Sequence, residues 1–411
     1  MLLLLPTATY RAAAFVEAAR QVGVDLTVAS ERPSTFQDAN PTGLLTLDLS
    51  HAAHAADQAR AFARVHPLGG VAGVDDDTAV VAAAIAGALD LRGNPLAAAE
   101  AARDKYEQRR LLAAARVPVP RFARYRLDEN PVHLAQRTHF PCVLKPLRLS
   151  ASRGVIRADT PAEFVAAFAR VKSILEQAEH PASRSILVED FIPGTEHALE
   201  GLLTAGELRL LALFDKPDPL DGPYFEETIY VTPSRLPQPA QQAIATCAQR
   251  AATALGLREG PAHAELRYNE SGPWLIELAA RPIGGRCSGA LRFGTGGSGP
   301  GPGVSLEEIV IRHALGMELP ALEREARASG VMMIPVPGAG VLREVRGVEE
   351  ARAVPLVEDV AITAHPGEAL VPWPEGSRYP GFIFARGETP AAVEAALRAA
   401  HRHLGFVLDA A

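Results

Sequence analysis

The sequence predicts an α/β unit followed by α+β units, and three observations carry that prediction. Strands and helices alternate through the first ninety residues, strands and hairpins dominate from Phe140 to Ala280, and a last group of strands ends in a helix at about 390–404. Strict alternation builds a parallel sheet covered by helices, whereas clustered strands build antiparallel sheets with helices set to one side.

The elements follow in order. Leu2–Leu5, Leu26–Ala29, Leu44–Leu47 and Gly70–Val74 read as strands; Ala12–Gln21, Ala53–Val65 and Thr78–Leu89 read as helices. No G-x-G-x-x-G follows the first strand, so the dinucleotide fingerprint is absent. A boundary falls at Arg92-Gly93-Asn94-Pro95, with Asn94 as N-cap and Pro95 as first helical residue. Asp104 starts a second helix, and Glu107 completes a capping box. Helices near 161–178 and 238–255 interrupt the strands of the middle region, and another spans about 305–315. These signals divide the chain into 1–93, 94–315 (with a small lid at about 120–195) and 316–411. The Gly/Pro-rich stretch Gly294–Gly303 reads as a flexible connection or a lid.

Composition excludes several classes. A hydrophobic content of 48% with 22% charged residues is that of an ordinary globular protein with a large core. The net charge is −7 and no basic stripe carries interleaved aromatics, which argues against nucleic acid as a partner. No run approaches the roughly 18 apolar residues of a membrane span, and Met1–Pro6 reads as a buried strand, not a signal segment. Three scattered cysteines, Cys142, Cys247 and Cys287, suit a reducing cytoplasm.

One hairpin carries the strongest chemical signal. His263–Tyr268 and Trp274–Arg281 read as its strands, with Asn269–Pro273 as a five-residue loop centred on Ser271. That register sets Glu265 directly opposite Glu277, with Cβ atoms about 4.5–5.5 Å apart. Like charges so placed destabilise a sheet, so either a divalent cation lies between them or the register slips and both glutamates are solvated. His263 shares the face of Glu265, because side chains alternate along a strand. Upstream, Lys145 ends an apolar strand and is followed by Ser150-Ala-Ser152-Arg153-Gly154-Val155, small residues able to drape over phosphate. This is not a P-loop, whose spacing is missing. Ile186–Val188 then runs into Glu189-Asp190-Phe191-Ile192-Pro193-Gly194-Thr195-Glu196, a strand and connection suited to an adenine edge and ribose hydroxyls.

Taken in order, Lys105, Lys145, the Ser/Gly loop, Glu189–Glu196, Glu265, Glu277, Arg281 and Gly284-Gly285 resemble the ATP-grasp superfamily over about residues 1–315. The resemblance implies an ATP clamped between two α+β subdomains behind an N-terminal parallel α/β domain. Lys105 and Lys145 would contact phosphates, Ser150, Ser152, Gly154 and Val155 would cover them, Glu189, Asp190, Phe191 and Ile192 would line adenine, and Glu196 would hold ribose. Glu265 and Glu277 would bind Mg²⁺ or Mn²⁺, and Arg281 would face the reacting groups. Most superfamily members carry Asn where Ala279 stands, so one metal ligand is either missing here or replaced by water. Glu277-Leu-Ala-Ala-Arg281, together with Arg343-Glu344, His365-Pro366-Gly367 and Gly381-Phe382-Ile383 in a small C-terminal α+β domain, is similar to the L-amino acid ligase (bacilysin synthetase-like) branch. That branch implies an ADP-forming carboxylate–amine ligase acting on small molecules through an acyl phosphate. Lys216, Glu226 and Glu227 then become candidates for catalysis and charge balance, with His263, Gly284, Gly285 and Arg286 as substrate contacts. A carboxylase of the biotin carboxylase type and an ATP-binding protein without ligase activity remain alternatives, and the sequence leaves open whether the chain forms a homodimer, as relatives often do.

Overall fold

The computed structural model describes residues 1–6, 9–34, 37, 39–178, 184–294 and 303–409. Almost all of the Gly294–Gly303 connection lies outside the described residues.

The N-terminal unit comprises β1 (Leu2–Leu4), α1 (Ala12–Val22), β2 (Thr27–Ser30), β3 (Leu44–Thr46), α2 (Ala52–Ala63), β4 (Val71–Gly73) and α3 (Asp76–Leu89). Its strands are parallel in the order β3-β2-β1-β4. The continuous apolar run of β1 is buried on both faces: Leu2 and Leu4 meet α2 and α3, while Leu3 joins the cluster holding Phe15 of α1. A strand covered on both sides needs such a run in place of alternation. The chain moves outward from β1 to β3, then returns to place β4 on the other side of β1. The carboxyl ends of β1 and β4 therefore flank a topological switch point, where open α/β sheets bind ligands.

Two short helices follow, α4 (Leu96–Arg103) and α5 (Lys105–Ala114). Pro95, not Asn94, holds the N-cap position of α4. The Asn94 side chain bonds instead to the Arg258 and Glu259 backbone, tying the boundary to the next unit. Asp104 caps α5 through the Tyr106 and Glu107 N–H groups, but Glu107 pairs with Arg110 instead of closing a capping box.

A lid of β5 (Phe122–Arg126), α6 (Pro131–Ala135), β6 (Cys142–Pro146), β7 (Ile156–Ala158), α7 (Pro161–Gln177) and β8 (Ser185–Asp190) forms a four-stranded antiparallel sheet, β5-β8-β6-β7. Phe164, Phe168 and Val171 of α7 fill its core. The central unit holds β9 (Thr195–Thr204), β10 (Glu207–Lys216), β11 (Ile229–Thr232), α8 (Gln238–Leu255), β12 (Gly260–Asn269), β13 (Gly272–Ala279) and α9 (Leu306–Ala314). The remainder comprises β14 (Ala328–Met333), β15 (Gly340–Arg346), α10 (Val348–Arg352), β16 (Val357–Ile362), β17 (Ala369–Leu370), β18 (Gly381–Gly387), α11 (Pro390–His401) and β19 (Gly405–Asp409). Because β11 pairs with β14, the C-terminal strands extend the central sheet into eight strands, β13-β12-β9-β10-β11-β14-β18-β16. Strands β15, β17 and β19 make a separate small sheet. Among the described residues no helix is long and apolar enough to cross a membrane.

Candidate active site

A cleft of about 300 Å³ opens where the loops after β1 and β4 meet the lid and one face of β12 and β13. Strand alternation selects its floor. Ala264 and Leu266 turn into the core, so His263, Glu265 and Arg267 face the cleft.

Glu265 pairs directly with Glu277, as the sequence predicts, but by a different route. The loop is tighter than expected: Asn269 pairs with Gly272, whose φ of 96° is readily available only to glycine. Uninterrupted, that turn would set Ile276 against Glu265. A bulge between the pairs Leu266–Leu275 and Glu265–Glu277 inserts Ile276, and both Ile276 and Glu277 line the cleft. Bulges re-aim side chains in this way beside active sites.

Ammonium groups offset the facing carboxylates. Lys105 Nζ lies 2.9 Å from Glu277 and donates to the Leu149 carbonyl. Lys216 Nζ lies 2.8 Å from Glu196 and 3.2 Å from Glu265, and also bonds to Glu227. The carboxylates of Glu196, Glu227 and Glu265 come within 4.8 Å of one another. Burial opposes ionisation of Glu265, but Lys216 and His263 hold its carboxyl well below the ordinary value. Burial pushes Glu227 up, against Lys216. His263 Nδ1 lies 3.2 Å from Glu200, to which its N–H donates, with Nε2 3.6 Å from Glu265, and the two carboxylates raise the imidazole against its burial. These hard oxygen donors, each balanced by a displaceable cation, fit a divalent ion shared with phosphate oxygens.

On the lid side, Lys145 pairs with Glu189 at 2.6 Å. Arg109 of α5, fully buried, bonds to the same carboxylate and to the Ile276 carbonyl of the bulge. Burial alone would raise Glu189; Arg109 and then Lys145 pull it below the ordinary range. Glu189 therefore orients Lys145, and its carboxylate is not free for an adenine amine. Ser150, Ser152 and Val155 line the cleft with Asp190, Phe191, Ile192 and Glu196. Gly154 does not: its N–H bonds to the Pro374 carbonyl, and its φ of 73° and close approach to Pro146 explain the glycine. Arg267 bonds to the Ile192 carbonyl at 2.8 Å and stacks on Phe191, fixing the expected adenine segment.

Arg281 lines the cleft and pairs with Asp76 of α3 at 3.0 Å, joining the N-terminal unit to the hairpin. Gly284 and Gly285 line it too. Two expected substrate residues lie elsewhere. Glu226 accepts from the Val336 N–H at 2.8 Å, and Arg286 lies over the Phe384 ring at 5.7 Å; neither lines the cleft. Next neighbours of Glu227 and Gly285 in the chain, they point away from the cleft and serve the junction with the C-terminal strands. Cys287 is buried, and burial first, then Glu227, pushes its thiol up to about 12, which excludes it as a thiolate nucleophile near neutral pH.

Sequence reasoning missed Arg11, Asp76, Arg109 and Arg267. Alternation along β12 marked Arg267, and Asp76 follows the carboxyl end of a parallel strand. For Arg109, inside a helix and partnered across the fold, no local signal exists.

Three family models match in chain order: an ATP-grasp N-terminal domain over residues 16–93, an ATP-grasp domain over 138–290 and L-amino acid ligase C-terminal domain 2 over 332–409. An alanine–anticapsin ligase of Bacillus subtilis is 30% identical over 213 residues, 48% of this chain and 44% of that protein. An uncharacterized protein of Sinorhizobium fredii is 28% identical over 270 residues, 65% of this chain and 53% of that one. The chain thus spans about half the length of these curated relatives. The crystal structure of an L-amino acid ligase from Bacillus licheniformis superposes with a TM-score of 0.79 at 26% identity, covering 99% of this chain and 98% of that one. A carboxyaminoimidazole ribonucleotide synthase from Aspergillus clavatus, complexed with ATP, gives a TM-score of 0.73 at 16% identity over 98% of both chains, a likeness of fold alone. With three matching domain models in order and a full-length structural match, the chain is similar to ATP-grasp enzymes and, among them, to the L-amino acid ligase branch.

Proposed function

We propose that the protein is an ATP-dependent carboxylate–amine ligase that forms an amide or peptide bond and releases ADP and phosphate. The observation that carries this reading is the bulged pairing of Glu265 with Glu277, with Lys105 and Lys216 already salt-bridged to them and Lys145 across the cleft. Relatives named as ligases support it.

Lys105 and Lys145 are suited to hold phosphate oxygens, and Phe191 and Ile192 to line the base. A Mg²⁺ or Mn²⁺ ion held by Glu265 and Glu277 would supply charge neutralisation at those oxygens. A carboxylate oxygen of the first substrate attacks the γ-phosphorus, the bond to the β–γ bridging oxygen breaks, and ADP leaves. The lone pair of an amine then attacks the acyl carbon, and phosphate departs with the acyl C–O electrons and takes up the proton that the amine nitrogen loses. Arg281, with Asp76 fixing its orientation, is placed to stabilise the oxyanion formed in that step. Lys216 and Glu227 set the charge balance beside Glu265.

The test is an ADP-release screen over amino-acid pairs with mass detection of the product. ADP that depends on two amino acids supports the ligase. ADP release that depends on bicarbonate and not on amino acids would replace it with a carboxylase.

A further inference from the structure

Among the described residues, one buried cation in the cleft has no carboxylate within ion-pair distance, although Glu307, Glu200 and Asp75 act on it from further off. Lys105, Lys145, Lys216, Arg267 and Arg281 each pair with a carboxylate. Arg11 also lines the cleft and is only 8% exposed, yet among the described residues its guanidinium bonds to just one group, the Pro282 carbonyl at 3.1 Å. A buried charge is normally paired.

Its placement adds to the cost. Arg11 is the N-cap residue of α1 and makes no side-chain cap bond. A helix N-terminus favours anions and not a cation. The neighbouring Arg281 charge disfavours it further: burial first, then Arg281, lowers Arg11 to about 10, with Glu307, Glu200 and Asp75 offsetting part of that. All three costs fall if an anion enters.

Topology points the same way. Arg11 follows β1, and Asp75 and Asp76 follow β4, so the three sit at the switch point of the parallel sheet and all line the cleft. The groups suited to phosphate, Lys105 and Lys145, make their bonds to Glu277, Leu149 and Glu189, and none bonds to Arg11. A planar guanidinium matches a carboxylate through two parallel hydrogen bonds. Held in that way, both carboxylate oxygens are occupied, which unsuits it for attack on phosphorus.

We infer that Arg11 anchors a free carboxylate on the amine-side substrate, so that this substrate is an amino acid or peptide and not a simple amine. The inference rests on the ligase reading for its place in the reaction, but not for its chemistry.

The test uses the full chain with Mg²⁺ and a non-hydrolysable ATP analogue, titrated calorimetrically with a panel of amino acids and their carboxamides. An amino acid should bind at least about tenfold more tightly than its carboxamide. In Arg11→Met its affinity should fall about a hundredfold, the loss of a charge-assisted pair, while carboxamide and nucleotide-analogue affinities hold; Arg11→Lys should recover part of the loss. In turnover with a fixed acid substrate, the rise should appear in KM for the amine-side amino acid and leave kcat nearly unchanged. Failure of every amino acid to bind, equal affinity for acid and carboxamide, or equal weakening of both in Arg11→Met would overturn the anchor. Arg11-dependent binding without ADP release would keep the anchor and remove the ligase reading.

Discussion

Glu265 and Glu277 face each other because Ile276 is bulged out between Leu275 and Glu277. The bulge does two things at once. It moves Glu277 into register with Glu265, and it turns the Ile276 carbonyl to Arg109, which also holds Glu189 and through it Lys145. One irregularity in one strand thus connects the two carboxylates suited to a metal with the lysine suited to phosphate.

Glu265→Gln and Glu277→Gln should each lower ADP formation by at least about a hundredfold, the scale of removing a preorganised electrostatic group. Mn²⁺ binding followed by electron paramagnetic resonance should weaken in both, with the fold unchanged by circular dichroism. Full turnover in either variant would remove the metal assignment.

Arg109→Met should cost stability more than it costs contacts. It leaves Glu189, 3% exposed, with Lys145 as its sole remaining ion-pair partner among the described residues. Breaking a buried pair by removing one member costs about 3–5 kcal/mol. Urea unfolding should show a lower midpoint with an unchanged slope, and Glu189→Gln in the same background should recover part of the loss.

Much of this was legible in the sequence for a physical reason. Periodicity reports burial of one element face, so the N-terminal strands and helices, the long helices at 161–177 and 238–255 and the cleft face of β12 were readable. Pairing partners set by a turn were readable only in part: the expected five-residue loop gave the right glutamate pair because a shorter loop and a bulge compensate. Side chains that point away from a site beside ones that point into it, such as Glu226 next to Glu227, depend on irregular backbone that no period describes. Arg109 and Asp76 act across the fold, on Glu189 and Arg281, and those partners lie eighty or more positions away.

Asp76→Ala should reduce kcat/KM by about tenfold or more, as expected when an orienting partner is lost and the oriented group strays. Arg286→Ala should stay within about twofold of the parent, because its side chain lies over Phe384 and does not line the cleft. Steady-state ADP release measures both. The reverse order of the two effects would place the substrate on the C-terminal side of Gly285, not against the N-terminal unit.

Asp215 gives a pH dependence that is separate from the cleft. It accepts hydrogen bonds from Ser234 Oγ and from the Arg235 backbone and side chain, and pairs with His197 at 3.1 Å. Burial would raise its carboxyl, but His197, Ser234 and Arg235 lower it to about 2. A depressed carboxyl contributes stability that is complete above its unfolded value of about 3.9 and is lost as pH falls toward about 2, and the shift corresponds to about 2–3 kcal/mol. Asp215→Asn should therefore be destabilised by that order at pH 7, measured by urea unfolding. The gap to the parent should stay constant from pH 7 to about pH 5 and narrow below about pH 4, because the parent then loses what the variant never had. A gap that widens on acidification would mean that the carboxylate is not held in its charged form by these partners.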